Sequence, residues 1–261
     1  MKPRQARRHR KTSGLERVGL ARALSKLGYC SRSQAAELIR AGRVKWNGVV
    51  RRDPETPVHP GKDRIEVDGA PLAANTKIYL LLNKPRGVVT TASDEKGRQT
   101  VYDFVPENLP WLAPVGRLDK ASEGLLLLTN DSEWGARIVA PETHLDKTYH
   151  VQIGALADEA LLHALRNGMR SNDGDFLRVE GARVLRQGQR NSWLEIILDE
   201  GKNRQIRRLL EHLKVEVLQL VRVRIGPLAL GDVAKGATRR LTAEEKQALD
   251  RAMNAAVSSF D

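Results

Sequence analysis

Cysteine is almost absent from this chain: Cys30 is the only one in 261 residues. A single thiol builds neither an intramolecular disulfide framework nor a zinc site of several cysteines, and a reduced, cytosolic setting is the simple reading. Aromatics make up only 4%, so a core drawn from the 41% apolar residues has to be mostly leucine, isoleucine and valine. The basic start is not followed by an apolar stretch, so no secretory signal is expected. The longest apolar runs, Ile78 to Leu82 and Leu125 to Leu128, have strand length and are too short to span a membrane. Histidines are His9, His59, His144, His150, His163 and His212, with no pair at the four-residue spacing of a helical metal site. Walker A, G-x-G-x-x-G and G-x-S-x-G patterns are also missing. Kinase, nucleotide-cofactor, serine-hydrolase and zinc-hydrolase readings therefore lack support.

What is abundant is positive charge. Lys and Arg total 44 against 32 Asp and Glu, a net +12. Residues 1–70 hold 17 Lys/Arg against 7 Asp/Glu, or +10, leaving 27 against 25 for the remainder. Such asymmetry points to a polyanionic partner. Nucleic acid fits better than a membrane surface, because no strongly amphipathic basic helix is present.

The first dozen residues are Arg-rich and lack apolar periodicity, so residues 1–13 read as a disordered basic tail. Helical spacing begins at Val18, Leu20, Ala21, Leu24 and Leu27 and stops at Gly28. Ser31 or Ser33 can cap a second helix carrying Ala35, Ala36, Leu38 and Ile39, ended by Gly42. Val44 to Val50 contains Asn47-Gly48, a hairpin signal. Ile65 to Val67 alternates and closes at Asp68-Gly69. These elements, with Arg22, Lys26, Arg32, Arg40, Arg43 and Lys45 around the helices, define a small, helix-rich basic domain over residues 14–70.

Residues 71–77 read as a linker, and a second domain runs from 78 to 247, followed by a C-terminal helix and tail over 248–261. Strands are expected at Ile78–Leu82, Val88–Thr91, Leu125–Leu128, Tyr149–Ile153, Leu194–Leu198 and Val215–Ile225. Helices are expected at Ser132–Ala140, Asp158–Asn167, Asn203–Leu213 and Ala243–Val257. Many connections run strand to strand, so the fold class is α+β with a mixed, largely antiparallel sheet.

The stretch Val115 to Asp131 has an unusual local composition, with charges and two glycines between an apolar approach and a buried strand. It places Asp119 on a loop at a strand's edge. A polar loop on a rigid scaffold is a common setting for a catalytic residue. An aspartate between strands also serves as a turn former, and spacing alone leaves both readings open.

Two resemblances bear on the choice. Gly28 to Ala36 and Ile39 to Gly48 resemble the RNA-binding domain named after the fourth small-subunit ribosomal protein, which implies reading of RNA shape and phosphates. Gly116-Arg117-Leu118-Asp119 with Ser122-x-Gly124-Leu125 resembles the signature of the pseudouridine synthases. The order of segments is similar to the RsuA/RluB-type branch that acts on ribosomal RNA. Leu82-Asn83-Lys84-Pro85-Arg86-Gly87 looks like its opening segment, and Lys147-Thr148-Tyr149 its second. Glu200 to Arg208 and Leu220 to Gly226 resemble the last two, with Lys202 where relatives often have arginine. The likeness runs from about residue 16 to 247.

This resemblance implies isomerisation of uridine to pseudouridine, without cofactor or metal, in ribosomal RNA, the large subunit's being favoured. It implies Asp119 as nucleophile, Tyr149 against a flipped uracil, and Leu220 beneath it. Arg207 would be the charge partner of Asp119. On the expected helix it falls at the edge of the stripe formed by Ile206, Leu209, Leu210 and Leu213, which suits a partly buried guanidinium. Arg117 would help extrude the base or hold a phosphate, and Lys202, Arg204, Arg208, Arg222 and Arg224 would supply phosphate contacts. The bland alternatives are a snorkelling Arg207, a strand tyrosine and a core leucine. A non-catalytic RNA-binding or ribosome-assembly factor is the main rival function, and an RNA methyltransferase the second. The expected setting is a cytoplasmic monomer, acting on free RNA or on a ribosome assembly intermediate.

Overall fold

A computed structural model of the chain describes residues 17–73, 76–92, 94–171 and 174–258, with side chains up to residue 255. The expected basic tail and the last residues of the C-terminal tail lie outside them, as do two residues of the expected linker. The chain divides into two compact units, Met1–Asn75 and Thr76–Asp261.

The first unit contains β1 (Val18–Gly19), α1 (Leu20–Lys26), α2 (Arg32–Arg40), β2 (Val44–Trp46), β3 (Val49–Arg51), β4 (Pro57–Val58), β5 (Ile65–Val67) and β6 (Ala70–Pro71). Val18, expected to open the first helix, instead pairs with Val58 across β1 and β4. Ser31 caps α2 in a reciprocal box: its hydroxyl accepts from the Gln34 amide at 3.2 Å, and the Gln34 side chain accepts from the Ser31 amide at 3.0 Å. Asn47 and Gly48 both have positive φ, the conformation a tight two-residue hairpin requires between β2 and β3. Leu20, Leu24, Ala35, Ile39, Val44 and Ile65 close one core.

The second unit is α+β, built on a nine-stranded sheet. Its elements in order are β7 (Tyr79–Lys84), β8 (Ala113–Val115), β9 (Glu123–Thr129), α3 (Ser132–Val139), β10 (Lys147–Ile153), α4 (Glu159–Asn167), β11 (Met169–Arg170), β12 (Phe176–Leu177), β13 (Gly181–Gln187), β14 (Ser192–Leu198), α5 (Gln205–His212), β15 (Val217–Ile225), β16 (Leu228–Ala229), β17 (Thr238–Arg240) and α6 (Ala243–Ser258). The sheet runs β13-β14-β10-β15-β9-β7-β17, with β8 on β9 and β16 on β15. Every pairing in it is antiparallel except β15 with β9.

The leucine run in β9 shows why that strand reads as continuously apolar. Leu125 and Leu127 point into a core shared with Trp134, Ile138, Leu249 and Met253 of α3 and α6. Leu126 and Leu128 point the other way, onto Leu80, Leu82, Val88, Leu112 and Leu118. A strand covered on both faces needs no polar alternation. A third core joins β10, β14 and β15 to α4 and α5 through Val151, Ile196, Leu220, Leu165 and Leu209.

The expected strand Val88–Thr91 is absent: only a bridge between Val89 and Thr100 forms there. Its apolar residue Val88 is buried for packing, while Thr90 turns to the loop after β8.

Candidate active site

The parallel meeting of β9 and β15 sets the centre of the second unit. Val221 pairs with Glu123 and Arg222 with Gly124. Gly124 has φ +101, and a Cβ there would lie 2.3 Å from the Arg222 carbonyl oxygen. Only glycine lets the two backbones come this close. The loop entering β9 is thereby fixed at its far end, and Asp119 sits on that loop.

The loop's main chain is held at each of five successive carbonyls. Leu118 O accepts from the Thr90 hydroxyl at 2.9 Å. Asp119 O accepts from the Lys84 ammonium at 3.1 Å and from the Ser122 amide at 3.0 Å. Lys120 O accepts from the Gly87 amide at 2.7 Å. Ala121 O accepts from Arg207 Nη2 at 3.0 Å, and Ser122 O from Lys84 Nζ at 2.8 Å. Leu118 is itself buried in the core beneath. By contrast the Asp119 carboxylate, half-buried, forms no hydrogen bond or ion pair among the described residues. Rigid backbone with an uncommitted functional group is the arrangement a nucleophile needs.

Lys84 is the least expected member of this group. It has no exposed surface, and its third hydrogen bond goes to Pro85 O at 3.1 Å. Burial pushes its ammonium down to about 8, against the pull of Glu123 and Asp119. In the sequence Lys84 closes an apolar strand just before a proline, and with Gly87 it falls in the segment that resembles the family's opening motif, which by itself implies no role for either; Thr90 carries no such signal.

Arg207 is half-buried on α5, at the edge of the buried row Ile206, Leu209 and Leu210. Burial lowers its guanidinium below the usual arginine range, followed by the like charge of Arg204; Asp119 acts in the opposite sense, and Arg86 lowers it further. Its Nη2 bonds Ala121 O rather than the Asp119 carboxylate, and its Nε is buried without a partner. Tyr149, on β10, is half-buried between Ile196 and Arg222 in register and packs against the two cores containing Leu118 and Leu220. Leu220 is buried opposite Val151.

The expected phosphate contacts divide. Arg117, Arg204 and Arg224 are exposed. Arg222 is not: it is 6% exposed, donates Nε to Leu125 O at 2.8 Å, and lowers the neighbouring Lys147 after burial has done so. A side chain on the packed face of β15 cannot reach a surface phosphate, so Arg222 leaves that group. Arg208 is tied to Asp175 at 3.2 Å and to Ser171 Oγ at 2.8 Å. Lys202 is exposed and shared between Phe176 O and Glu200, both at 3.0 Å.

In the first unit Arg22, Arg32, Arg40 and Lys45 are exposed and Lys26 is half-buried. Arg43 is exposed as well but bound to Asp68, with Nε at 2.8 Å.

A fixed aspartate loop in a mixed sheet, preceded by a basic helix-and-hairpin unit, defines a class, and comparison with known proteins agrees. Residues 78–212 match the RNA pseudouridylate synthase family and residues 18–65 the S4 domain. The chain belongs to the RNA pseudouridine synthase family, and it is an isomerase of that family. It is 37% identical over 232 residues to ribosomal large subunit pseudouridine synthase B of Bacillus subtilis, covering 88% of this chain and 94% of that protein. It is 36% identical over 237 residues to an RNA pseudouridine synthase of Aquifex aeolicus, covering 90% and 95%. A crystal structure of a pseudouridylate synthase superposes with TM-score 0.62 at 30% identity, covering 89% of this chain and 99% of that one. Among the described residues, no helix is long and apolar enough to cross a membrane.

Proposed function

We propose that this enzyme isomerises a specific uridine of ribosomal RNA, in the large subunit, with Asp119 as nucleophile acting on a flipped-out nucleotide. The observation that carries the reading is the Asp119 loop, whose carbonyls are all engaged while its carboxylate is not. The similarity to the Bacillus subtilis large-subunit enzyme favours the substrate.

The reaction breaks the bond between uracil N1 and ribose C1′ and makes one from C5 to C1′. N1 gains a proton and C5 loses one, so the product is an isomer with no net redox change. A carboxylate can attack C1′ or the ring, or take a proton. Arg207 supplies positive charge beside the Asp119 carboxylate. Tyr149 lies against the base, above Leu220. Flipping costs a few kcal/mol and least where the base is unpaired, so the target lies in a loop. Arg117, Arg204, Arg224 and Lys202 hold the flanking phosphates, and the S4 unit holds the surrounding RNA through Arg22, Lys26, Arg32, Arg40 and Lys45. The enzyme acts as a monomer in the cytoplasm, on free RNA or on an assembly intermediate.

The test is tritium release from ribosomal RNA transcripts labelled at uracil C5. Wild type releases tritium, and Asp119→Asn does not while keeping RNA affinity within about severalfold. Retained release by the variant removes the nucleophile assignment.

A further inference from the structure

We infer that the first unit carries a pocket for one unstacked nucleotide, built around Trp46 and Arg51 and separate in its residues from the helix arginines. A recess of about 310 Å³ is lined by Arg17, Trp46, Arg51, Pro57, His59 and Asp63 among others. That volume is at the small end of ligand sites, roughly 300–1,000 Å³, and admits a single nucleotide rather than a helix.

Its walls differ in chemistry. The Arg51 guanidinium lies over the Trp46 ring, 4.7 Å from its centroid. It is held there without a carboxylate: the Arg51 side chain forms no hydrogen bond or ion pair among the described residues, and its Nε is buried unpartnered. Arg17 is exposed, donates Nε to His59 Nε2 at 3.0 Å and likewise lacks a carboxylate among the described residues. Asp63 accepts from the His59 amide at 2.7 Å and from Asn47 Nδ2 at 3.5 Å, and the His59 amide, followed by the Trp46 side chain, holds its carboxyl below the usual carboxylate range. Arg17 and Arg51, neither of them paired with a carboxylate among the described residues, outweigh Asp63 and leave the recess cationic, and Trp46 with Pro57 adds an apolar wall.

A nucleotide satisfies both walls. An unstacked base lies on the Arg51 plane, which Trp46 backs, and the phosphate takes Arg17. RNA is favoured over a protein ligand because residues 17–70 carry 11 Lys/Arg against 6 Asp/Glu and match the S4 domain. This inference rests on the RNA-directed activity and is independent of the role of Asp119.

The test uses the full chain and fluorescence anisotropy with two probes, a ribosomal RNA stem-loop and a fully paired RNA of equal length, across a KCl series. Arg17→Gln/Arg51→Gln is expected to weaken stem-loop binding about tenfold and flatten its salt dependence by about one in slope. Arg51→Lys keeps the charge but not the planar surface, so the slope stays and stem-loop affinity falls severalfold with duplex affinity unchanged. Wild-type affinity in both variants overturns the pocket, and so does an equal loss on both probes, which would leave only surface charge. Tritium release at saturating RNA stays at the wild-type rate, so failure of the pocket and failure of the Asp119 assignment are distinguishable.

Discussion

The Lys84 ammonium donates a 3.1 Å hydrogen bond to the main-chain carbonyl of Asp119, from a side chain with no exposed surface. The two residues are 35 positions apart, and Lys84 closes the strand from which the Asp119 loop is braced. A buried ammonium with three carbonyl acceptors positions the carboxylate without touching it.

Lys84→Met is therefore expected to lower the single-turnover rate of tritium release about 10²-fold, the scale of a 1 Å misplacement, with RNA affinity nearly unchanged. An unaltered rate would show that the loop holds its shape without the clamp.

The same group sets a pH dependence with a definite sign. Its folded value of about 8 lies below the ordinary 10.5. Between these values the unfolded chain binds the proton that the native one has released, so this group's contribution to stability rises with pH and is lost as pH falls through 8. Alkaline pH is thus expected to reduce the rate above about 8, as a donor to the loop is lost, without a matching loss of thermal stability. Comparing rate and melting profiles of wild type and Lys84→Met checks this: the variant's alkaline limb should flatten.

Arg207→Gln removes both the bond to Ala121 O and the positive charge beside Asp119. The rate is expected to drop by roughly 10²-fold, on the scale of general acid–base and charge effects, with KM little changed. Arg207→Lys should recover part of it, because charge returns without the forked geometry. A purely structural role would instead move the melting temperature in both variants alike.

Gly124→Ala places a methyl group against the Arg222 carbonyl at positive φ. A loss of about 2 kcal/mol or more is expected, corresponding to a melting shift of roughly 4–8 °C for a domain of this size. Calorimetry on the full chain decides it; a wild-type melt would mean that β9 and β15 can separate without penalty.

In the first unit, Arg22→Gln/Arg32→Gln/Arg40→Gln should reduce the salt slope of RNA binding by about two while leaving the rate at saturating RNA intact. An unchanged slope would locate the RNA path away from α1 and α2.

Much of this architecture is written locally. Ser31 with Gln34, Asn47-Gly48, and Asp158 before α4 fix their helix starts and turn through contacts within a few residues. The helices α3 to α6 begin and end within two residues of the positions their spacing predicts. Edge strands were less legible. β13 exposes Arg183, Arg186 and Gln187 and β17 is Thr-Arg-Arg, and such charged edges lack the alternation that marks a strand. The sequence by itself determined the basic first unit and the α+β class, because charge balance and periodicity are local properties, and its resemblance to the pseudouridine synthases singled out Asp119, which spacing alone left open. Only the tertiary structure decided that Lys84 braces the loop and that Arg222 is buried against Leu125, 97 residues away. It likewise tied Arg208 to Asp175. A lysine or arginine looks alike in sequence whether it faces solvent, a carbonyl or a carboxylate; its partner is chosen only when distant strands pair.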